Sequence, residues 1–285
     1  MIILDGKELS KKLLNNLQSD IQDAISLGLR IPRLDIIMAG DDFASEKYVS
    51  MKEKRAQELG IKAVVHKLDT NSGNKDILEL IDKLNKDTLV DGLMVQLPLP
   101  NGFDTEHILE SIDPKKDVDG LTSSNLGKLF KNDPSAIAPA TAKGIMKILE
   151  EYNIELDGKN AVVIGRSDIV GLPVAALLQN MNCTVTICHS HTKDLKKITR
   201  EADILVVAIG KAEYINDEYV KEGCVVIDVG TNQNEEGKLV GDVNFESVSK
   251  VAGYITPVPG GVGPMTIASL LLNLFDIYTR NVKRF

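Results

Sequence analysis

Tyr48-Val49-Ser50-Met51-Lys52 sets a phenol and an amine four residues apart. On a helix that spacing puts both side chains on one face. A lysine stripped of water holds its proton less tightly and can exchange it near neutral pH. Gln96 closes an apolar run just before Leu97-Pro98-Leu99-Pro100, where two prolines must end strand pairing. A glutamine placed there can hold a lysine without adding negative charge, whereas a carboxylate would raise the lysine's proton affinity. Gln96 serves equally well to satisfy loop backbone. Asp117-Val118-Asp119-Gly120 offers carboxylates that can accept paired N–H donors from a planar heterocycle, although Asp-Gly is also a plain turn signal.

A second group of residues suits a nucleotide. Ala161-Val162-Val163-Ile164 is an apolar strand pattern, and Gly165-Arg166-Ser167-Asp168-Ile169-Val170-Gly171 then leads into a helix start. Free N–H groups at a helix N-terminus receive phosphate. The next strand ends near Cys188, where an NAD site usually offers an acid to the ribose 2′-OH. Here His189-Ser190-His191-Thr192 stands instead, with Arg166 in the phosphate turn. Cation and hydroxyls suit a 2′-phosphate, so NADP is expected over NAD, the alternative being that Arg166 caps or salt-bridges at the surface. Tyr-x-x-x-Lys also occurs in short-chain dehydrogenases, but there it follows the nucleotide fold. Here it precedes the glycine turn by more than a hundred residues.

The run Thr256-Pro257-Val258-Pro259-Gly260-Gly261-Val262-Gly263-Pro264-Met265-Thr266 packs three prolines and three glycines together. Proline fixes φ and glycine admits close backbone approach, so this loop is stiff and shaped. It is either a difficult chain reversal or a wall that presents backbone to a flat ligand.

The elements that must position these residues alternate. Leu9, Leu13, Leu17 and Ile21 repeat at helical spacing; residues 34–39 read as a strand; Ser45 to Leu59 reads as a helix with Ser45 as N-cap and Gly60 as stop. Residues 62–68 and 92–97 read as strands around a helix marked by Ile77, Leu80, Ile81 and Leu84. Residues 113–139 read as a linker. A helix over 142–151 opens a second series, with strands at 161–164, 184–187, 204–208 and 225–229, a solvated hairpin tip at 232–238 and a buried last helix from Met265 to about Tyr278. Such alternation implies βαβ units and parallel sheets.

Bulk properties narrow the classes. The chain has 285 residues, 43% hydrophobic and 26% charged, enough for one large or two medium globular domains. The net charge of −8, the lack of a basic run and the 4% aromatic content disfavour nucleic acid. No apolar stretch of about 18 residues is expected to span a membrane, and the N-terminus lacks the pattern of a secretory signal, which leads to a cytoplasmic expectation. Cys183, Cys188 and Cys224 are read as reduced buried thiols, and the four histidines lack zinc-site spacing, so no metal is expected.

Six segments, in order, resemble the bifunctional methylenetetrahydrofolate dehydrogenase/methenyltetrahydrofolate cyclohydrolase family. They are Tyr48 through Ile61, Asp91 through Pro100, Lys116 through Gly120, Gly165 through Gly171, Val226 through Gly230, and the loop from Thr256 to Thr266. The resemblance spans nearly the whole chain. It implies two α/β domains with a cleft between them: a folate/catalytic domain at 1–138 and a Rossmann-type NADP-binding domain at 139–264, with the helix at 265–285 packing back on the first. It implies oxidation of 5,10-methylenetetrahydrofolate with NADP⁺, hydrolysis of the methenyl product to 10-formyltetrahydrofolate, and a homodimer serving one-carbon and purine synthesis.

By the same resemblance Lys52 handles protons, Tyr48 places the folate, Gln96 orients Lys52 and Asp119 holds the pterin amino edge. Leu97, Pro98, Pro257, Gly260 and Gly261 line the substrate; Gly165, Arg166, Ser167, Ser190 and Thr231 line the cofactor. Three positions depart from the family pattern: Pro139-Ala140-Thr141-Ala142-Lys143-Gly144 replaces Pro-Cys-Thr-Pro-x-Gly, Thr231 stands where isoleucine is common, and Asn244 where aspartate is common. The alternatives are a monofunctional dehydrogenase, a relative of shikimate dehydrogenase, and a non-enzymatic nucleotide- or folate-binding module.

Overall fold

The computed structural model describes residues 1–69 and 71–282. In chain order β1 (Ile2–Ile3), α1 (Gly6–Ser26), β2 (Arg33–Ala39), α2 (Phe43–Glu58), β3 (Lys62–Leu68), α3 (Asn74–Lys86), β4 (Gly92–Val95), α4 (Thr105–Glu110) and α5 (Ser123–Phe130) come first. Then come α6 (Ala140–Glu151), β5 (Asn160–Ile164), α7 (Gly171–Asn180), β6 (Thr184–Cys188), α8 (Leu195–Thr199), β7 (Ile204–Val207), β8 (Val225–Asp228), β9 (Asn232–Gln233), β10 (Leu239–Val240), α9 (Phe245–Val248), β11 (Tyr254–Ile255) and α10 (Val262–Val282). The chain divides into two compact α/β units.

One unit comprises Lys12–Gly127, Ser135–Ala138 and Leu270–Phe285. Its sheet is parallel in the order β3-β2-β4. Ile37, Leu93 and Val95 of the sheet pack on Ile77, Ile81 and Leu84 of α3. On Gly92 a Cβ would fall 2.3 Å from Val118 and 2.5 Å from Leu274, so only glycine lets those side chains reach the strand. Tyr278 donates to Arg30 O at 2.6 Å, while Arg30 forms a two-pronged ion pair with buried Asp91.

The other unit comprises Met1–Lys11, Lys128–Pro134 and Pro139–Ser269. Its parallel sheet runs β1-β11-β8-β7-β5-β6; the central strands β5, β7 and β8 are largely apolar because both faces are covered, while the edge strands β1 and β6 are partly exposed. β5 lies between β6, which follows it in the chain, and β7, so the winding reverses there. Ligands of open α/β sheets bind outside the carboxyl ends at such a reversal.

Several sequence boundaries shift. Met1–Lys11 joins the second-described unit rather than the one that follows it in sequence, because Ile2 and Ile3 pair with Tyr254 and Ile255. The segment read as a linker carries α5, and Asp117 bridges to Leu93 beside β4. The last helix begins at Val262, inside the proline-glycine run. Asp42, not Ser45, caps α2 by accepting from Ser45 N at 2.7 Å. By length and composition α10 is apolar enough to cross a membrane, a stretch the sequence reading did not expect, although Asp276 and Arg280 lie within it; 56% of its most apolar window is buried within the chain.

Candidate active site

In α2 Ser45, Val49, Lys52 and Ala56 are buried, a 3–4 spacing that places Lys52 on the apolar stripe. The lysine is only 9% exposed, whereas Tyr48, one turn earlier, is 47% exposed. Lys52 Nζ donates to Gln96 Oε1 at 3.0 Å and lies 3.8 Å from Met94 Sδ. Gln96 stands just past β4: its backbone N–H donates to Ile37 O at 2.8 Å, and its amide donates to Leu97 O at 2.6 Å. Half-buried Leu97 and exposed Pro98 follow, joined by a cis peptide bond. Because β2 is flanked by β3 and β4, these residues occupy the carboxyl edge of the sheet where its winding reverses.

Burial pushes the Lys52 ammonium below the ordinary lysine value, with Asp119 pulling the other way. Burial also pushes the Asp119 carboxyl above the ordinary range; Lys52 opposes this and Asp117 adds to it. Both groups are thus drawn toward their neutral forms, the condition for proton exchange near neutrality. The acceptors beside Lys52 are a neutral amide and a thioether. The thioether of Met94 was not anticipated from sequence; its place two residues before Gln96 on the same strand face was the available signal.

The Asp-Val-Asp-Gly motif divides its labour. Asp117 builds the turn, accepting from Gly120 N at 2.8 Å, Thr122 N at 2.9 Å and Asn125 Nδ2 at 3.0 Å. Val118 is buried and packs toward Gly92. That leaves Asp119 as the half-buried carboxylate coupled to Lys52.

In the six-stranded unit the expected cofactor residues line one edge. Gly165 directly follows β5 with φ of 124°, and a Cβ there would lie 2.2 Å from Ala208 O, just past β7. A Cβ on Gly171 would lie 2.3 Å from Gly165 O. The turn therefore folds on itself as only glycine permits and presents the N-terminus of α7. Ser167 Oγ accepts from Val170 N at 3.2 Å within that turn. Arg166, Ser167, Ser190 and Thr231 are all exposed at strand ends. Cation, hydroxyls and glycine cradle fit a phosphorylated dinucleotide. Among the described residues no group of three or more His, Cys, Asp or Glu is placed to hold a metal ion.

Pro257, Gly260 and Gly261 follow β11 in the same unit. The loop is held by the N-terminal segment: Lys7 N donates to Gly260 O at 2.8 Å, and a Cβ on Gly6 would lie 1.9 Å from Gly261 O. It carries a cis peptide bond at Val258-Pro259. Gly6 was missed from sequence because its partner is remote in the chain.

Two family models match the chain. One, tetrahydrofolate dehydrogenase/cyclohydrolase, catalytic domain, covers residues 4–119. The other, the NAD(P)-binding domain of the same enzymes, covers residues 139–282. The chain belongs to the tetrahydrofolate dehydrogenase/cyclohydrolase family. It is 52% identical to the bifunctional protein FolD of Ligilactobacillus salivarius over 98% of each chain. The crystal structure of the bifunctional methylenetetrahydrofolate dehydrogenase/cyclohydrolase FolD from Campylobacter jejuni is 47% identical, with a TM-score of 0.96 over all of both chains. The Trypanosoma brucei enzyme, solved with NADP cofactor and an inhibitor, is 37% identical, with a TM-score of 0.93 over 99% of both.

Within this tetrahydrofolate dehydrogenase/cyclohydrolase chain two departures have structural accounts. Asn244 caps α9 by accepting from Ser247 N at 2.9 Å, a task asparagine shares with aspartate. Without the second proline, α6 still starts at Ala140, after Pro139, with Ala142 buried. Nothing in the structure explains Thr231.

Proposed function

We propose that this chain oxidises 5,10-methylenetetrahydrofolate to 5,10-methenyltetrahydrofolate with NADP⁺ and then hydrolyses that product to 10-formyltetrahydrofolate. The observation that carries the reading is Lys52: nine-tenths buried, held by a neutral glutamine and depressed in proton affinity. Hydride loss needs no base, so the first step demands positioning. In the second, water adds to the methenyl carbon. Neutral Lys52 takes a proton from that water and, as ammonium, returns it to N5 when the C–N5 bond breaks, while the proton left on the adduct's hydroxyl is released to solvent as its oxygen becomes the formyl carbonyl. Gln96 fixes the amine, Asp119 accepts from the pterin amino edge, Tyr48 packs on the folate, and Leu97 and Pro98 line it.

Bound NADP⁺ supplies the hydride acceptor. Gly165, Arg166, Ser167, Ser190 and Thr231 would hold it, with Arg166 toward the 2′-phosphate, while Pro257, Gly260 and Gly261 would wall the pterin and nicotinamide side. The C. jejuni and T. brucei relatives support both activities, and the T. brucei enzyme, solved with NADP, supports that cofactor. Family resemblance alone supports a homodimer.

The test is turnover of 5,10-methylenetetrahydrofolate with NADP⁺ and, separately, NAD⁺, following reduced nicotinamide and methenyltetrahydrofolate together. Reduction with little methenyl build-up is expected. Methenyl accumulation would mean a monofunctional dehydrogenase, and no reduction with either cofactor would overturn the reading.

A further inference from the structure

β8, a central and otherwise apolar strand of the sheet, ends on a carboxylate, Asp228. Asp228 is 3% exposed, and neighbouring Asp242 is fully buried. Asp228 Oδ1 accepts from Gly230 N and Asp242 N, each at 2.9 Å, and Oδ2 from Val243 N at 3.0 Å. Asp242 Oδ2 accepts from Ile209 N at 2.7 Å and Gly210 N at 3.0 Å; its Oδ1 accepts from Lys211 N at 2.8 Å and Asn232 Nδ2 at 2.9 Å. The backbone N–H of Asp228 donates to Thr256 Oγ1 at 2.8 Å.

The two carboxylates thus tie together the chain after β7, after β8 and after β10, and the backbone N–H of Asp228 ties in the chain after β11 through Thr256. β7, β8 and β11 are neighbours, and the segments that follow them emerge at the carboxyl edge beside the Gly165 turn. The bonds bracket two assigned ligand residues. Thr231 lies between Gly230, held by Asp228, and Asn232, held by Asp242; Pro257 follows Thr256. Close packing admits nothing larger: a Cβ on Gly241 would lie 1.8 Å from Asp228 Oδ2, and one on Gly230 would lie 2.4 Å from Asp242 Oδ1.

We propose that Asp228 is a positioning residue for the cofactor: its carboxylate sets Thr231 through Gly230, and its backbone N–H holds Thr256 at the head of the Pro257 loop, without touching the dinucleotide itself. The proposal rests on the NADP-binding reading above. Burial, opposed by the three backbone N–H groups, pushes the Asp228 carboxyl up to about 6, with Asp242 adding to the rise. Replacing it by asparagine turns an amide N–H toward one of the backbone donors it now satisfies, while the side-chain shape is kept.

The experiment compares the full-length wild type with Asp228→Asn, Thr256→Val and Thr256→Ser, measuring NADP⁺ dissociation by calorimetry and KM and kcat for both substrates. Asp228→Asn and Thr256→Val should each weaken NADP⁺ about ten-fold, Thr256→Ser by less than about two-fold, and the folate KM should move less than the NADP⁺ KM. Folded variants that bind NADP⁺ like wild type would overturn the proposal. So would losses in kcat and both KM values that move together, which is what general damage to the fold predicts. If Asp228→Asn does not fold, the Thr256 pair decides. A wild type that binds NADP⁺ but does not oxidise the folate overturns the functional reading and leaves the binding comparison decisive. A wild type that binds neither NADP⁺ nor NAD⁺ overturns both.

Discussion

Lys52 and Gln96 meet amine to carbonyl at 3.0 Å, and the far side of the Gln96 amide is fastened to Leu97 O at 2.6 Å. The fastening leaves only the oxygen for Lys52. The lysine is therefore located without being given an anion to cling to.

Gln96→Glu should reverse that condition. A carboxylate at hydrogen-bond distance raises the lysine's proton affinity, so less neutral amine is present at pH 7. Methenyltetrahydrofolate hydrolysis at pH 7 should fall about ten-fold or more for each unit of rise, with the activity limb moved to higher pH. A pH–rate profile unchanged from wild type would remove Gln96 from this role.

Lys52→Met should separate activity from stability. The folded lysine is depressed below its unfolded value, so between the two values the unfolded chain binds more protons and stability rises with pH. Below that window the fold bears the full cost of the buried ammonium. The substitution should abolish hydrolysis yet raise the melting temperature at pH 7 by about 2–4 °C per kcal/mol recovered, a gain that shrinks as pH rises through that window and is gone above the free-lysine value. Scanning calorimetry at pH 7 and in the alkaline range checks it.

Arg166→Ala should raise the KM for NADP⁺ by about ten-fold or more while the KM for NAD⁺ changes by less than about two-fold. Equal weakening of the two cofactors, read from initial rates, would show that Arg166 does not face the 2′-phosphate.

Gly6→Ala tests the seat of the proline-glycine loop. Alanine is the better helix former by about 1 kcal/mol, but here its methyl would meet Gly261 O at 1.9 Å. The variant should melt lower than wild type. Gly127→Ala, in α5 with nothing within 4 Å of its Cβ, should be neutral or stabilising. Paired thermal melts distinguish clash from propensity.

Legibility followed range. Residues 62–68 form a strand as their pattern predicts, and the glycine stop at Gly60 sits at φ of 83°. The residues alone left Gln96 open between Lys52 and loop backbone; family resemblance implied the pairing, and in the structure Gln96 does both, its oxygen to Lys52 and its amide to Leu97 O. β1 could not be read: two residues carry no period, and their partner lies far away in the chain. The N-cap went to Asp42 because its carboxylate is the stronger acceptor and stands three residues before a free N–H. The Asp228–Asp242 clasp was hidden for the same reason as β1, since each carboxylate is satisfied by backbone from other loops.

The pairing of Ile2 with Tyr254 also bears on how this unit is assembled. The outermost strand of its six-stranded sheet comes from the start of the chain, and its neighbour is made about 250 residues later. On a ribosome Ile2 and Ile3 must wait, unpaired, while about 250 further residues are made, and the loop then closed is a long one. Long-range closure of this kind slows folding. The support under Gly260 and Gly261 would then be among the last parts of the unit to form, so a nascent chain would hold its strands before it holds that loop.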